Sequence, residues 1–170
     1  MLDVNLKGIR IDISNYNNTD KGDLGEDLVC LEKIDRLTEV TGCSLVSIST
    51  EDHSLAIKFE WKEDDEITED NFFHIPETAT VIVSTTNQWV VFDLAKKQIL
   101  RHEAAYWSPT IQRRDDVIIV EDDLKAESID LHCSTIDSVA IDPPTESKEY
   151  QDRIEYDSPI CGKQVLRLVR

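Results

Sequence analysis

Acids are what this chain holds in quantity, and acids beside aromatic side chains are where its chemistry could sit. Asp and Glu total 35 against 18 Lys and Arg, a formal net charge of -17. They are bunched. Lys62 to Asp70 carries Glu63, Asp64, Asp65, Glu66, Glu69 and Asp70, and a second group comprises Asp115, Asp116, Glu121, Asp122 and Asp123. Carboxylates at this density could bind Ca²⁺ or Mg²⁺, supply the pair of a glycoside hydrolase, or steer a basic partner by long-range attraction. A calcium loop needs oxygen ligands at alternating positions, and neither group has them. The nearest match is NYNNTDKGD: counted from Asn17, Gly22 falls on position 6 of an EF-hand, but Leu28 takes position 12, where an acid is required. No metal is therefore expected, and nothing in the spacing selects a hydrolytic pair.

The other reactive residue types are dispersed. His53, His74, His102 and His132 include no i, i+4 pair, and Cys30, Cys43, Cys133 and Cys161 include no C-x-x-C. His132 and Cys133 are neighbours, which on a strand would send them to opposite faces. There is no Walker A, G-x-G-x-x-G, G-x-S-x-G or H-E-x-x-H. With five glycines a phosphate-cradling loop is hard to place. No catalytic residue and no cofactor is expected, although a Cys–His pair assembled from distant positions stays open. The aromatics give a better lead. Trp61 abuts the first acid group, and Tyr106 and Trp107 precede Arg113, Arg114 and then the second. Trp, Tyr and Arg are the usual interface anchors, and an acidic rim steers a basic partner. Trp61, Tyr106, Trp107 and the two acid groups are thus the candidate partner-binding residues, with burial in a core as the competing role for Trp61 and Trp107.

These residues need a scaffold. A chain of 170 residues with 40% hydrophobic content can build one core, and a single domain over 1–170 is the simplest expectation. No apolar run approaches the ~20 residues that cross a bilayer, and MLDVNLKGIRID is not a secretory signal, so a cytoplasmic protein with reduced thiols is expected. Ile9, Ile11 and Ile13 alternate as in a strand. Leu24, Leu28, Leu31, Ile34 and Leu37 recur at helical spacing behind an Asp23–Glu26 capping box, which predicts an amphipathic helix over about 24–41. Ser44–Ser49 and Leu55–Trp61 read as a hairpin, the second strand placing Leu55, Ile57, Phe59 and Trp61 on one face. Residues 79–103 are β-branched, aromatic and nearly free of acid: Trp89–Leu94 is apolar on both faces, with a turn at 95–98. Ala104–Arg114 reads as a loop, Val117–Val120 and Ser138–Ile141 as strands, 145–159 as a polar connection, and Val165–Val169 as a last strand. The expected class is α+β, mainly β: a largely antiparallel sheet or sandwich with one N-terminal helix.

Charge is uneven along this scaffold. It is -8 over 51–77, +3 over 78–114 and -11 over 115–157. Such a surface repels nucleic acid and anionic lipid and attracts basic protein. The segment VVFDLAKKQIL resembles the strand–turn–strand of a β-propeller blade, over eleven residues. In size, charge and want of catalytic motifs the whole chain resembles bacterial toxin-immunity proteins of contact-dependent growth inhibition systems. That resemblance implies a non-enzymatic protein that covers the active site of a cognate nuclease toxin, as one half of a heterodimer. A β-rich enzyme or ligand-binding domain with a pocket invisible in the sequence is the alternative, and a structural or assembly subunit the third.

Overall fold

The computed structural model describes residues 2–6, 8–17, 27–29, 40–62 and 65–169. Among them are strands and short 3₁₀ turns but no α-helix. The chain divides into two compact units, 1–104 and 105–170.

Unit 1 holds two sheets. In the first, β1 (Leu2–Leu6), β2 (Ile9–Tyr16), β4 (Gly42–Ser49) and β5 (Ser54–Trp61) pair antiparallel in that order, and β3 (Asp27–Val29) adds to the far side of β5 in parallel. The second is an antiparallel meander of β6 (Phe72–Ile75), β7 (Thr80–Ser84), β8 (Gln88–Asp93) and β9 (Gln98–Ala104). The period-2 pattern decides which face is dry. Ile9, Ile11, Ile13, Val46, Ile48, Ile57 and Phe59 are buried, while Arg10, Ser47 and Ala56 between them are exposed. The buried face packs on Val81, Val83, Val90 and Phe92 of the second sheet and on Leu94 in the turn after β8, with Phe59 and Phe92 edge to face at 5.8 Å. Each such side chain contributes about 1.5–3 kcal/mol by leaving water. Strand β8 is buried at every position, Trp89 and Val91 on one face and Val90 and Phe92 on the other, as its unbroken apolar run requires.

The helix expected over 24–41 is corrected in part. Asp27–Val29 is a strand with Asp27 opposite Ile57, Leu28 opposite Lys58 and Val29 opposite Phe59, and Val40 and Thr41 are irregular. The remainder, 24–26 and 30–39, lies outside the described residues, as do Cys30 and most of the loop tested as an EF-hand. The reason is tertiary. The edge of β5 offers unpaired backbone groups, and satisfying them outweighs a local 3.6-residue period.

Unit 2 repeats the plan. Strands β10 (Thr110–Arg114), β11 (Val117–Glu121), β12 (Lys125–Asp130) and β13 (Thr135–Ala140) form an antiparallel meander, and β14 (Glu146–Glu149), β15 (Arg153–Ser158) and β16 (Gly162–Arg167) form a three-stranded one. Two expected connections are therefore largely strand: only 105–109 of the loop 104–114 is irregular, and 145–159 contains β14 and β15. Strand β14 is exposed at all four positions and β10 at three of five, and the hairpin partner supplies the ladder that polar residues alone do not announce. Ile119, Ala126 and Ile141 pack against Ile154, Tyr156, Leu166 and Leu168.

One contact in unit 1 needs a glycine. Gly42 lies against the indole of Trp61, so that a Cβ at 42 would come within 2.1 Å of a ring carbon. The indole N–H donates to Ser44 Oγ at 2.8 Å, and Ser44 donates to Asn15 Oδ1 at 2.6 Å.

Candidate partner-binding surface

The structure separates the candidate residues into three settings. Trp61 is a core residue, 3% exposed, its one polar atom spent on Ser44. It cannot reach a partner, and the correction has a simple cause: on β5 it falls in phase with Leu55, Ile57 and Phe59. Of the first acid group, Glu63 and Asp64 lie outside the described residues. Asp65 is turned inward, accepting the Thr86 N–H at 3.1 Å and the Thr86 hydroxyl at 2.6 Å. Burial pushes its carboxyl up, and the two Thr86 bonds only partly offset this. Glu66, Glu69 and Asp70 are exposed, and Asn15 Nδ2 donates to Glu66 at 3.4 Å. Glu69 and Asp70 start a short 3₁₀ turn.

The second group is split by strand register. Arg114 pairs with Val117, so Asp115 and Asp116 form the β10–β11 turn. Thr110 pairs with Glu121, so Glu121, Asp122 and Asp123 sit at the opposite end of the same hairpin. That second end is where unit 2 also places Tyr106 and Trp107, 65% and 67% exposed. The two stretches are joined: the Tyr106 N–H donates to Asp122 Oδ2 at 3.1 Å. The other Asp122 oxygen accepts the N–H groups of Leu124 and Lys125, each at 2.8 Å. One carboxylate thus shapes the β11–β12 turn and holds the aromatic loop beside it. Asp123 is left exposed. Glu121 is engaged inward, accepting the buried Tyr156 hydroxyl at 2.8 Å. Burial, then the adjacent carboxylate, pushes that phenol far above its ordinary range. Trp107 and Ser108 both take positive φ, 97° and 25°, a costly conformation for a bulky residue.

A different chemistry marks the far end of unit 2. Arg114 pairs with Glu149 and donates to the Tyr150 carbonyl at 3.3 Å. Arg153 and Lys148 lie over the Tyr150 ring at 4.2 and 5.1 Å, and Arg153 also binds Glu155 at 2.9 Å. The cations here are matched by carboxylates. Across the outer face of the three-stranded sheet runs an open groove of about 640 Å³ edged by Glu146, Lys148, Glu155, Asp157 and Lys163. Among the described residues no group of three or more His, Cys, Asp and Glu is arranged to hold a metal ion. No described helix is long and apolar enough to cross a membrane. Sequence reasoning could not have joined Tyr106 to Asp122, because only the strand register brings them together.

No family model matches the chain, and no curated protein does. Among solved structures, "KlHsv2 with loop 6CD replaced by a Gly-Ser linker" aligns with 58% of this chain and 39% of its own, at 13% identity and a TM-score of 0.28. Hsv2 of Kluyvelomyces marxianus aligns with 56% and 36%, at 8% identity and a TM-score of 0.26. The chain spans under two fifths of either structure, and overlap at these scores assigns it no fold family.

Proposed function

We propose that this chain is a non-enzymatic binding protein for a basic protein partner. The observation that carries the reading is the pairing, at one end of unit 2, of two exposed aromatics, Tyr106 and Trp107, with the Asp122–Asp123 turn that positions them. Rigid aromatics supply contact area, and the net charge of the chain, -17, supplies steering. The finer form is an immunity protein that covers the Lys-, Arg- and His-lined active site of a nuclease toxin and competes there with RNA phosphate. Co-purification from the native host tests it: a basic nuclease partner whose activity falls on binding, with association slowing steeply as salt rises, is the expected result. A neutral partner, or binding indifferent to salt, overturns it. A second reading, a structural or assembly subunit, draws on the four-stranded antiparallel meanders of β6–β9 and β10–β13, the unit from which propeller blades are built. Isolation in a large, salt-resistant assembly would favour that reading.

A further inference from the structure

Two exposed aliphatic side chains stand at the same end of unit 2 as the aromatic loop. Leu124, in the β11–β12 turn, is 44% exposed, and Ile160, in the β15–β16 turn, is 87% exposed. Their turns are tied together through the chain between them. The Ile141 N–H donates to the Leu124 carbonyl at 3.0 Å, and the next residue, Asp142, accepts the N–H groups of Ile160 at 3.0 Å and Cys161 at 2.7 Å. Asp122 makes the corresponding link to Tyr106. Tyr106, Trp107, Leu124 and Ile160 therefore ride on three adjoining turns, each clamped by a carboxylate. Asp142 is held firmly charged: burial would raise its carboxyl, but the Cys161 and Ile160 N–H groups outweigh burial and keep it below its ordinary value. Apolar side chains in water on turns already fixed lose little further freedom when covered, which is the condition for a strong anchor.

We infer that this end of unit 2 anchors a basic amphipathic protein segment, whose apolar side chains cover Trp107, Leu124 and Ile160 while its Lys and Arg meet the acids around them. The inference rests on the reading of the chain as a binder of basic protein and adds where the affinity resides. Charge selects the occupant. Asp122, Asp123, Glu146 and Asp157 lie at this end, Glu146 directly opposite Asp157 across β14 and β15, against Lys125 and Lys163. Lys125 is already held by Glu127 at 2.7 Å. Lys163 faces Asp157 across β15 and β16, so the four acids at this end outnumber its two lysines, and that excess favours a basic occupant. A second copy of this chain would bring the same acids and another -17, so self-pairing is opposed.

The chain carries its own reporter. Trp61 and Trp89 are 3% and 4% exposed, whereas Trp107 is 67% exposed, so acrylamide quenching reads Trp107. The full chain is titrated with two synthetic peptides of equal length and charge, one of Lys and Leu in amphipathic order, the other of Lys and Ser. The Lys–Leu peptide is expected to shield Trp107 from acrylamide and to bind about tenfold tighter or more. Leu124→Asp and Ile160→Asp should each remove about tenfold of that margin, with circular dichroism unchanged. If an Asp variant fails to fold, Leu124→Ser and Ile160→Ser carry the same test. Equal binding of both peptides with Trp107 unshielded would overturn the anchor and leave the acidic reading standing. Failure of both peptides to bind would overturn both. Sedimentation showing a dimer that Leu124→Asp dissolves would identify a second copy as the occupant and overturn the basic segment.

Discussion

The β8–β9 and β15–β16 hairpins carry nearly the same words and bury opposite ones. Each runs aromatic-Asp, turn, then Lys-Gln-aliphatic-Leu-Arg: Phe92-Asp93 to Lys97-Gln98-Ile99-Leu100-Arg101, and Tyr156-Asp157 to Lys163-Gln164-Val165-Leu166-Arg167. In the first, Asp93 pairs with Gln98 and Phe92 with Ile99. In the second, Asp157 pairs with Lys163 and Tyr156 with Gln164. That slip of one residue reverses the faces. Ile99 packs on the core of unit 1 while Leu100 is 39% exposed; Val165 is 47% exposed while Leu166 is fully buried. The turns set the slip. Leu94–Lys97 spans four residues between its paired ends, with Lys97 at φ 54°; Pro159–Cys161 spans three, with Gly162 at φ 66°. Identical strand chemistry is thus assigned to core or solvent by the turn before it.

Four measurements would break or sharpen this comparison. The largest effect belongs to Phe92→Ala, which empties the contact with Phe59 and should cost about 3–5 kcal/mol in urea unfolding. Next come the two leucines. Leu166→Ala should cost about 2–5 kcal/mol and Leu100→Ala under about 1 kcal/mol; equal losses would mean that the two strands face the same way. Third is Tyr156→Phe. It deletes the hydroxyl bonded to Glu121, which water can partly replace, and about 1 kcal/mol should be lost. The smallest effect is acid-dependent. Burial alone would raise the Asp93 carboxyl, but the Lys96 N–H at 2.9 Å and the Lys96 ammonium hold it below its ordinary value near 3.8. A carboxyl depressed in the folded state stabilises above its unfolded value and loses that stabilisation as pH falls through the folded one. As pH falls below that ordinary value the urea midpoint should therefore drop less in Asp93→Asn than in the parent. A parallel drop in both proteins would place the acid sensitivity elsewhere.

Much of the β scaffold could be read from the residues, because alternation survives wherever one face is wet. The inward set Leu55, Ile57, Phe59 and Trp61 and the doubly covered run Trp89–Leu94 are both found as their patterns require. The final strand, which runs Gly162–Arg167 rather than Val165–Val169, buries Leu166, and Leu168 is buried just beyond its end. The acid-rich loop before Phe72 likewise has exposed members in Glu66, Glu69 and Asp70. What escaped depends on pairing. Asp27–Val29 joins a sheet edge set by a strand some thirty residues on, so its local leucine spacing misleads. Strands β10 and β14 are polar enough to pass for loops. The candidate surface was half legible: Tyr106, Trp107, Asp122 and Asp123 could be named, but their union depends on the bond from the Tyr106 N–H to the Asp122 carboxylate, and nothing local marked Leu124 or Ile160. Trp61 shows the converse, since an aromatic beside acids looks like an anchor until its phase within the strand is counted.

Position 42 makes two residues mutually conditional. With the indole of Trp61 seated on a glycine, Gly42→Ala and a reduction at 61 cannot be independent: the methyl group is costly only while the ring is there, and the smaller side chain leaves its full void only while the methyl is absent. Combining Gly42→Ala with Trp61→Leu should be less harmful than the two single costs added. Any lineage that changes one of these residues is thereby biased toward changing the other, with Ser44 released from its bond to the indole at the same stroke.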